Sequence, residues 1–255
     1  MKKYLLDFEI IENDRLSPNY SVLKIKPKQA DMPDIVPGQF VEIEIPNSKS
    51  TFLRRPISVN FVDYEKNILW LLVRKAGNGT SSLLDMRNGE SLNLLLPLGN
   101  GFSIYPGEDM LLIGGGVGVA PLLYLGRIAK EKGANVKFLL GARSKNDLLE
   151  LEEFMEIGEV YVSTESGDYG EKGFVTQNSI LDKIGSCYIS CCGPMPMMKA
   201  VAQIAKQKHL DCEVSLENTM ACGLGACLCC VEDTVDGNVC VCKEGPVFNI
   251  KRLKW

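Results

Sequence analysis

Short apolar or alternating stretches, separated by turn-forming residues, fill the first hundred residues of the chain. They are Tyr4–Ile11, Tyr20–Ile25, Gln39–Ile45, Ile57–Phe61, Ile68–Val73 and Leu92–Leu96. Six strands at this spacing predict a small antiparallel barrel. Within it, Gly77-Asn78-Gly79-Thr80 predicts one short helix over Ser81–Met86, with the Thr80 hydroxyl as its N-terminal cap.

After Pro106-Gly107 the pattern changes to strands that alternate with helices. The predicted strands are Met110–Ile113, Val136–Leu140, Val160–Ser163 and Cys187–Cys191, and the predicted helices are Pro121–Lys132, Asp147–Met155, Gln177–Lys183 and Pro194–His209. This alternation is typical of parallel βαβ units, which bind ligands at the carboxyl ends of their strands. The predicted fold class is α/β plus all-β: an antiparallel barrel over 1–103, a Rossmann-like parallel-sheet domain over 104–210, and a small C-terminal domain over 211–255.

Composition and charge exclude several classes of protein. The chain has 255 residues, of which 45% are hydrophobic and 24% charged, as in ordinary globular proteins. Its net charge is −4 and it contains no basic run, so we expect no nucleic-acid partner. The longest apolar run, Met110–Pro121, contains four glycines and is shorter than the ~20 residues of a membrane-spanning helix. Asp7 and Glu9 follow the initial lysines too closely for a signal peptide, so we expect a cytoplasmic protein.

The ten cysteines are unevenly distributed along the chain. None precedes Cys187, and six lie between Cys222 and Cys242. A disulfide framework is typical of short secreted chains, whereas this clustering indicates metal ligation in a reducing compartment. Cys222, Cys227 and Cys230 have the C-x4-C-x2-C spacing of plant-type [2Fe–2S] proteins, with Cys242 as a candidate fourth ligand.

Two alternatives remain for this cysteine cluster. Four thiolates also bind structural zinc, although zinc loops usually present two separate C-x2-4-C pairs. In addition, Cys229 and Cys240 are spare thiols near the candidate ligands. The remaining cysteines in strand-like stretches are predicted to be small buried apolar residues: Cys187, Cys191 and Cys212.

Two further segments indicate nucleotide binding. The glycine-rich string Gly114–Gly118 follows a strand and opens a helix, where backbone N–H groups can hold a pyrophosphate; the alternative is a tight packing turn. Arg54 and Arg55 lie in an otherwise apolar sheet, and a buried guanidinium is costly unless an anion pairs with it. We expect Arg55 to bind a diphosphate and Arg54 to be a solvated edge residue.

With these residues in place, nearly the whole chain resembles the ferredoxin–NAD(P)⁺ reductase superfamily. Within it, the chain resembles the electron-transfer (iron–sulfur flavoprotein) subunits of NAD-dependent two-subunit dihydroorotate dehydrogenases. The motifs that carry the resemblance are Leu53–Ser58, Pro97–Phe102, Gly170–Val175, Cys192-Gly193-Pro194, Glu217–Cys230 and Gly245–Phe248. Ile57 stands where the wider superfamily has a tyrosine, whereas the narrower family shares the aliphatic residue.

The resemblance implies FAD, one [2Fe–2S] cluster and NAD as cofactors. It implies that FAD is bound by Arg55, Pro56, Ile57, Ser58, Leu72, Val73, Arg74, Gly79 and Thr80. It implies that the nicotinamide dinucleotide is held by Gly114, Gly115, Gly116, Gly118, Gly193 and Pro194, with Cys192 as the catalytic residue. The implied cluster ligands are Cys222, Cys227, Cys230 and Cys242, the last because it precedes the Gly245–Phe248 motif.

The third strand of the predicted α/β domain bears on the choice between NAD and NADP. In NADP-using relatives a basic residue follows this strand and holds the 2′-phosphate, whereas here the sequence is Ser163-Thr164-Glu165. A carboxylate repels a phosphate and can accept a hydrogen bond from a ribose hydroxyl. We therefore expect Glu165 to favour NAD.

The implied function is electron transfer within a larger enzyme of pyrimidine biosynthesis. No residue pattern in this chain indicates a site for oxidising a carbon substrate; the one histidine, His209, falls at the end of a predicted helix. The resemblance implies an FMN-containing dihydroorotate dehydrogenase catalytic subunit as partner, in a heterotetramer with two copies of each chain. The alternatives are a reductase subunit of a hydrogenase, sulfide or glutamate-synthase-like complex, and a zinc-stabilised nucleotide-sensing module.

Overall fold

The computed structural model describes residues 2–46, 48 and 51–255. Their contacts divide the chain into two units. The barrel unit contains the described residues up to Gly101 together with Glu217–Glu232 and Asn238–Pro246. The α/β unit contains Phe102–Leu216, Asp233–Gly237 and Val247–Trp255. The segment 211–255, predicted as a third domain, thus contributes residues to both units.

The strands and helices follow in chain order. The strands are β1 Tyr4–Ser17, β2 Tyr20–Pro27, β3 Phe40–Ile43, β4 Arg55–Ser58, β5 Phe61–Asp63, β6 Ile68–Arg74, β7 Ser91–Leu98, β8 Asp109–Gly115, β9 Asn135–Ala142, β10 Glu159–Thr164, β11 Glu171–Lys172, β12 Tyr188–Cys192, β13 Cys212–Ser215, β14 Val231–Thr234, β15 Gly237–Cys240 and β16 Val247–Asn249. The α-helices are α1 Asn78–Leu84, α2 Ala120–Glu131, α3 Leu151–Ile157, α4 Ile180–Lys183, α5 Met195–Gln207 and α6 Val241–Glu244. Short 3₁₀ turns cover Gly116–Val119, Lys145–Asp147, Val175–Gln177 and Ile250–Arg252.

The barrel unit is built on a seven-stranded antiparallel sheet in the order β4-β3-β7-β1-β2-β6-β5. Its edge strands, β4 and β5, are separated by Val59 and Asn60 alone, so the sheet must curl to bring its edges together. The Val59 N–H donates to Gln39 O at 2.9 Å and the Asn60 N–H donates to Trp70 O at 3.0 Å, which joins the two edges. The predicted barrel is therefore confirmed, but the stretch Ile57–Phe61, expected as one strand, is divided between two.

The short helix α1 begins earlier than the sequence predicts. Thr80 is the third residue of this helix rather than its N-terminal cap. Its hydroxyl accepts the N–H groups of Ala76 at 2.8 Å and Gly77 at 3.1 Å, and it donates to Gly77 O. The hydroxyl therefore closes the first turn from inside the helix, and the prediction of an N-cap at this residue was wrong.

The α/β unit is built on a seven-stranded sheet in the order β11-β10-β9-β8-β12-β13-β16. Every neighbouring pair of strands from β11 to β13 in this order is parallel, and β16 alone is antiparallel to its neighbour. The chain builds outward from β8 to β11 on one side and then continues with β12 and β13 on the other. This reversal makes the carboxyl ends of β8 and β12 a topological switch point, where α/β sheets bind ligands.

Close packing fixes the helices on this sheet. A Cβ on Gly126 of α2 would lie 2.4 Å from Phe138 Cζ of β9. Phe138 in turn packs edge-on against Phe154 of α3, with ring centroids 4.9 Å apart. No helix among the described residues is long and apolar enough to cross a membrane.

Candidate cofactor sites

Two glycine-containing loops meet at the switch point of the α/β unit. Gly114 of β8 pairs in register with Cys192 of β12. A Cβ on Gly118 would lie 2.5 Å from Gly193 Cα and 2.6 Å from the Cys192 carbonyl carbon. Both contacts are with backbone, so the approach of the loops requires glycine at this position.

The same loops leave room for a ligand. Gly116 has a φ of +55°, and a Cβ there would meet nothing within 4 Å. The turn Gly116–Val119 leads directly into α2, so its backbone lies where a helix start can hold phosphate. Cys192 is buried at the end of β12, and Pro194 precedes the first residue of α5. The structure thus brings together the glycine string and the segment Cys192–Pro194, as the sequence predicts; their role in nucleotide binding stays a prediction.

Glu165, expected to select NAD, lies at the same end of the sheet. It is exposed and directly follows β10, and its backbone N–H donates to Ala142 O at the end of β9 at 3.1 Å. One strand, β9, separates β10 from β8 in the sheet. An exposed carboxylate at this edge is available to a ribose hydroxyl. Its effect on cofactor choice stays a prediction.

In the barrel unit, the structure places Arg55 against the start of α1. The side chains of the β4 residues Arg55–Ser58 are all half-buried. A Cβ on Gly79 would lie 2.9 Å from Arg55 Nε, so the glycine lets the guanidinium approach the helix. Among the described residues, no carboxylate lies within salt-bridge distance of Arg55. A guanidinium beside a helix start fits a diphosphate, because both attract phosphate oxygens.

The β6 residues assigned to FAD by resemblance differ in their access to a ligand. Leu72 is 2% exposed and Val73 is 0% exposed, so their side chains are not open to a ligand in this structure. Arg74 is exposed at the end of the strand. The assignment of these three residues to the flavin stays a prediction.

Arg54 differs from its expected role as a solvated edge residue. Its Nη1 donates to Glu42 O and Asn93 O, and its Nη2 donates to Glu44 Oε2 at 2.8 Å and Asn93 Oδ1 at 2.6 Å. The side chain is 24% exposed. Arg54 therefore ties β3 to β7, and the expectation of a purely solvated side chain was wrong because these acceptors lie far away in sequence.

Four of the clustered thiols meet as two pairs in the barrel unit. The Cys222 thiol contacts that of Cys227, and the Cys230 thiol contacts that of Cys242. Among the described residues, no three cysteine, histidine or acidic side chains are grouped closely enough to hold one metal ion. A [2Fe–2S] cluster takes four thiolates divided between two irons, so the two pairs fit such a cluster.

Backbone N–H groups point at three of these sulfurs. The Leu224 N–H donates to Cys222 Sγ at 3.3 Å, the Gly225 N–H to Cys242 Sγ at 3.1 Å, and the Cys242 N–H to Cys230 Sγ at 3.3 Å. Such donors stabilise cluster thiolates and adjust their reduction potential. A left-handed backbone at Gly225, with φ +80°, aims its N–H at the sulfur.

The pKa values of two of these thiols move in opposite directions. Burial opposes ionisation of Cys222, but N–H groups of the following turn outweigh it and lower its pKa to about 6. Burial raises the pKa of Cys242 to about 12, and contact with Cys230 adds to the rise. Metal binding requires thiolates, so the N–H groups of this turn favour the form of Cys222 that binds iron.

The two spare thiols are placed differently from the four paired ones. Cys229 is exposed. Cys240 is half-buried, and its thiol donates to the Gly225 carbonyl oxygen at 3.8 Å. The N–H of the same glycine points instead at Cys242, which favours Cys242 as the fourth ligand.

The other cysteines and the histidine largely match their expected structural roles. Cys191 and Cys212 are buried, at 0% and 1% exposure, as predicted for small apolar residues. Cys187 is half-buried just before β12, so its prediction as a buried strand residue was wrong. His209 is exposed and follows α5 with a φ of +56°.

One residue near the cysteine cluster was missed by the sequence analysis. Glu42 of β3 is 1% exposed, and neither of its carboxyl oxygens has a hydrogen-bond partner among the described residues. Burial raises its pKa to about 7, against the attraction of Arg54 and Arg55. Glu44, two residues further on, also lies between two apolar residues in sequence yet is exposed. The alternating pattern alone therefore could not distinguish the two carboxylates.

Together, the curled antiparallel sheet, the parallel sheet with its glycine loops and the paired thiols define an iron–sulfur flavin reductase of the ferredoxin–NAD(P)⁺ reductase type. Residues 217–254 match the iron-sulfur cluster binding domain of dihydroorotate dehydrogenase B. Residues 112–203 match the oxidoreductase NAD-binding domain.

Comparison with known proteins narrows this class. The chain is 39% identical over 221 residues to the electron transfer subunit of dihydroorotate dehydrogenase B (NAD(+)) of Shouchella clausii, covering 84% of this chain and 85% of the relative. It is 43% identical over 217 residues to that of Caldanaerobacter subterraneus, covering 83% and 84%. The chain belongs to the family of dihydroorotate dehydrogenase B (NAD(+)) electron transfer subunits, and the resemblance inferred from its motifs is confirmed.

Solved structures agree on the fold. The NADH-dependent reduced ferredoxin-NADP oxidoreductase is similar with a TM-score of 0.84 and 29% identity, covering 97% of this chain and 90% of the other. The ferredoxin reductase of carbazole 1,9a-dioxygenase is similar with a TM-score of 0.70 and 20% identity, covering 82% and 67%. The second of these likenesses supports the fold alone.

The contact between the two nucleotide loops predicts the effect of Gly118→Ala. Its Cβ would press on the backbone of Cys192 and Gly193, so we expect a loss of about 1–3 kcal/mol of stability and weaker NADH binding. Thermal unfolding and NADH titration measure the two effects. Gly185→Ala is the control, because its Cβ would meet nothing within 4 Å. Equal melting temperatures for the two variants would contradict the contact.

Proposed function

We propose that this chain passes electrons from an FMN-containing dihydroorotate dehydrogenase subunit, through a [2Fe–2S] cluster and FAD, to NAD⁺. The observation that carries this function is the set of two thiol pairs, with N–H donors, in the same unit as the β4 flavin strand. When bound, FAD would exchange one hydride, which carries two electrons, with the nicotinamide and single electrons with the cluster. The chain's own residues bind and orient these groups.

For the flavin, we assign the half-buried strand Arg55–Ser58 and the start of α1. Arg55 and Gly79 are in contact, so one guanidinium and one helix start converge on the space assigned to the diphosphate. Thr80 holds the first turn of this helix in shape through its hydroxyl. Arg74 is the exposed residue of β6 that completes the proposed set.

For the nicotinamide dinucleotide, we assign the glycine loop Gly114–Gly118 and the segment Cys192–Pro194. Their contact at the switch point supports this assignment, since parallel sheets bind dinucleotides there. Cys192 ends β12 at this crevice and is the proposed catalytic residue. Glu165 is proposed to favour NAD over NADP; a higher kcat/KM with NADPH than with NADH would contradict this choice.

For the cluster, we assign Cys222, Cys227, Cys230 and Cys242 as ligands. Their pairing and N–H donors support the assignment, and the matched iron–sulfur domain includes all four. The cysteines form no disulfide among the described residues. A cytoplasmic location, which keeps thiols reduced, is proposed because the clustered cysteines are assigned to metal ligation.

The partner supplies the site for dihydroorotate. Members of the family are named as electron transfer subunits, which implies a separate catalytic subunit. A dihydroorotate site of this kind belongs to a TIM barrel, which alone needs ~250 residues. We propose an assembly with two copies of each chain.

A second candidate function is electron transfer in a different complex. The similarity to NADH-dependent reduced ferredoxin-NADP oxidoreductase over 97% of this chain favours it. The two candidates share their cofactors and differ in the donor that reduces them, so the donor is what an experiment must identify.

Dihydroorotate is expected to reduce the protein when its partner is present. The test is a visible and EPR spectrum of the anaerobically co-purified complex before and after adding dihydroorotate. We expect flavin bleaching and a reduced [2Fe–2S] signal. Reduction by NADH but not by dihydroorotate would exclude dihydroorotate as the donor and would favour electron transfer in a different complex. Dihydroorotate oxidation by the isolated chain would contradict the need for a partner, and a colourless zinc protein would overturn the proposed function.

Arg55→Gln is expected to weaken FAD retention, because it removes the positive charge assigned to the diphosphate. Charge-assisted hydrogen bonds contribute about 1.5–3 kcal/mol, so roughly ten- to hundredfold weaker binding is expected. FAD content after dialysis measures the effect. Arg87→Gln is the matched control, since Arg87 is exposed in the same unit. Equal FAD retention in both variants would remove Arg55 from the site.

Cys242→Ser and Cys240→Ser are expected to differ in their effect on the cluster. Cys242 accepts an N–H bond and pairs with Cys230, whereas the Cys240 thiol faces a carbonyl oxygen. We expect loss of the cluster, or an altered EPR spectrum, in Cys242→Ser alone. Iron content and EPR spectra measure this. The reverse pattern would make Cys240 the fourth ligand.

A further inference from the structure

The Glu42 carboxyl is buried between the flavin strand and the cluster loop, which we define as residues 222–230. Its backbone on β3 pairs in register with Pro56 of β4. Its side chain extends to the cluster loop: a Cβ on Gly223 would lie 2.9 Å from Glu42 Cγ and 3.3 Å from Glu42 Oε1. Gly223 has a φ of +65°, so a larger residue at this position would be strained. The two elements assigned to different cofactors therefore meet at this one side chain.

The carboxyl has no hydrogen-bond partner that would explain its burial. Neither oxygen is hydrogen-bonded within the described part of the chain, and the residue is 1% exposed. A buried polar group without a partner costs folding free energy. Glu44, just after the same strand, pairs instead with Arg54 at 2.8 Å and faces solvent. Replacing Glu42 by an apolar residue would remove this cost, so its presence points to a functional role.

The charges around Glu42 come from both proposed cofactor sites. Arg54 and Arg55 attract its carboxylate, and a Cys222 thiolate repels it. Arg55 is the residue assigned to the FAD diphosphate, and Cys222 is assigned to the cluster. Charges interact strongly at such buried positions, because little water is present to screen them.

We propose that Glu42 is a positioning residue whose carboxylate lowers the reduction potential of the [2Fe–2S] cluster. The physical reason is that reduction adds one electron to the cluster, and a neighbouring carboxylate disfavours that added negative charge. The step makes and breaks no bond and transfers no proton at Glu42. The inference rests on the proposed function, because it requires a cluster held by Cys222.

The test is an EPR-monitored redox titration of the complex with its partner at about pH 9, an alkaline pH that favours the carboxylate form of an acidic side chain. Glu42→Gln keeps the shape and removes the charge. We expect the equilibrium constant for reducing the cluster to rise about tenfold, which is about 59 mV for one electron. Glu44→Gln is the matched control, since it removes the same charge from an exposed position just after the same strand, and the cluster potential is expected to stay at the wild-type value.

The outcomes separate this inference from the proposed function. A normal cluster signal with an unchanged or lower potential in Glu42→Gln overturns the role of Glu42 and leaves the proposed function intact. An equal rise of the cluster potential in Glu44→Gln also overturns it, because an exposed charge would then have the same effect on the cluster as the buried one. If Glu42→Gln fails to hold its cluster, Glu42→Met decides, since it also removes the charge: a rise of about tenfold in the equilibrium constant supports the inference, and an unchanged potential opposes it. No [2Fe–2S] signal in the wild-type complex overturns both proposals.

Discussion

The convergence of four thiols within one short segment is the constraint on which the barrel unit depends. Thiolates repel one another, so the backbone must supply N–H donors to the sulfurs, and it does so from Leu224, Gly225 and Cys242. The loop can turn this tightly because two glycines adopt left-handed conformations. Since the cluster segment folds with the barrel strands, the proposed cluster ligands and the flavin strand share one unit. One-electron exchange between two cofactors needs this proximity.

Close backbone approach plays the corresponding role in the α/β unit. Gly118 lies against Cys192 and Gly193 because adjacent parallel strands deliver both loops to the same edge of the sheet. Gly116, two residues earlier, has open space in front of it. Gly118 thus serves packing, and Gly116 leaves the open space that a phosphate would need. The two interpretations of the glycine-rich string, a packing turn and a phosphate site, therefore fit together. A structural turn and a phosphate site are compatible here.

Charged residues that look equivalent in sequence have different roles in the barrel unit. Arg54 and Arg55 are neighbours, yet one bonds to β3 and β7 whereas the other lies over α1. Glu42 and Glu44 are two residues apart, yet one is buried against the cluster loop and the other is solvated. In each pair the contacts that distinguish the two residues come from distant segments of the chain. The barrel's curvature decides which charge is satisfied by protein and which remains for a cofactor or for solvent.

The sequence by itself determined the alternation of elements, the strand-rich first half, the glycine turn and the cysteine spacing, because each depends on residues close together in the chain. It also indicated the family, whose motifs are local strings. Only the tertiary structure decided the division of Ile57–Phe61 between two sheet edges, the contribution of the segment 211–255 to both units, and the burial of Glu42. These features depend on hydrogen bonds and contacts between residues far apart in sequence, and neither periodicity nor spacing along a single strand records them.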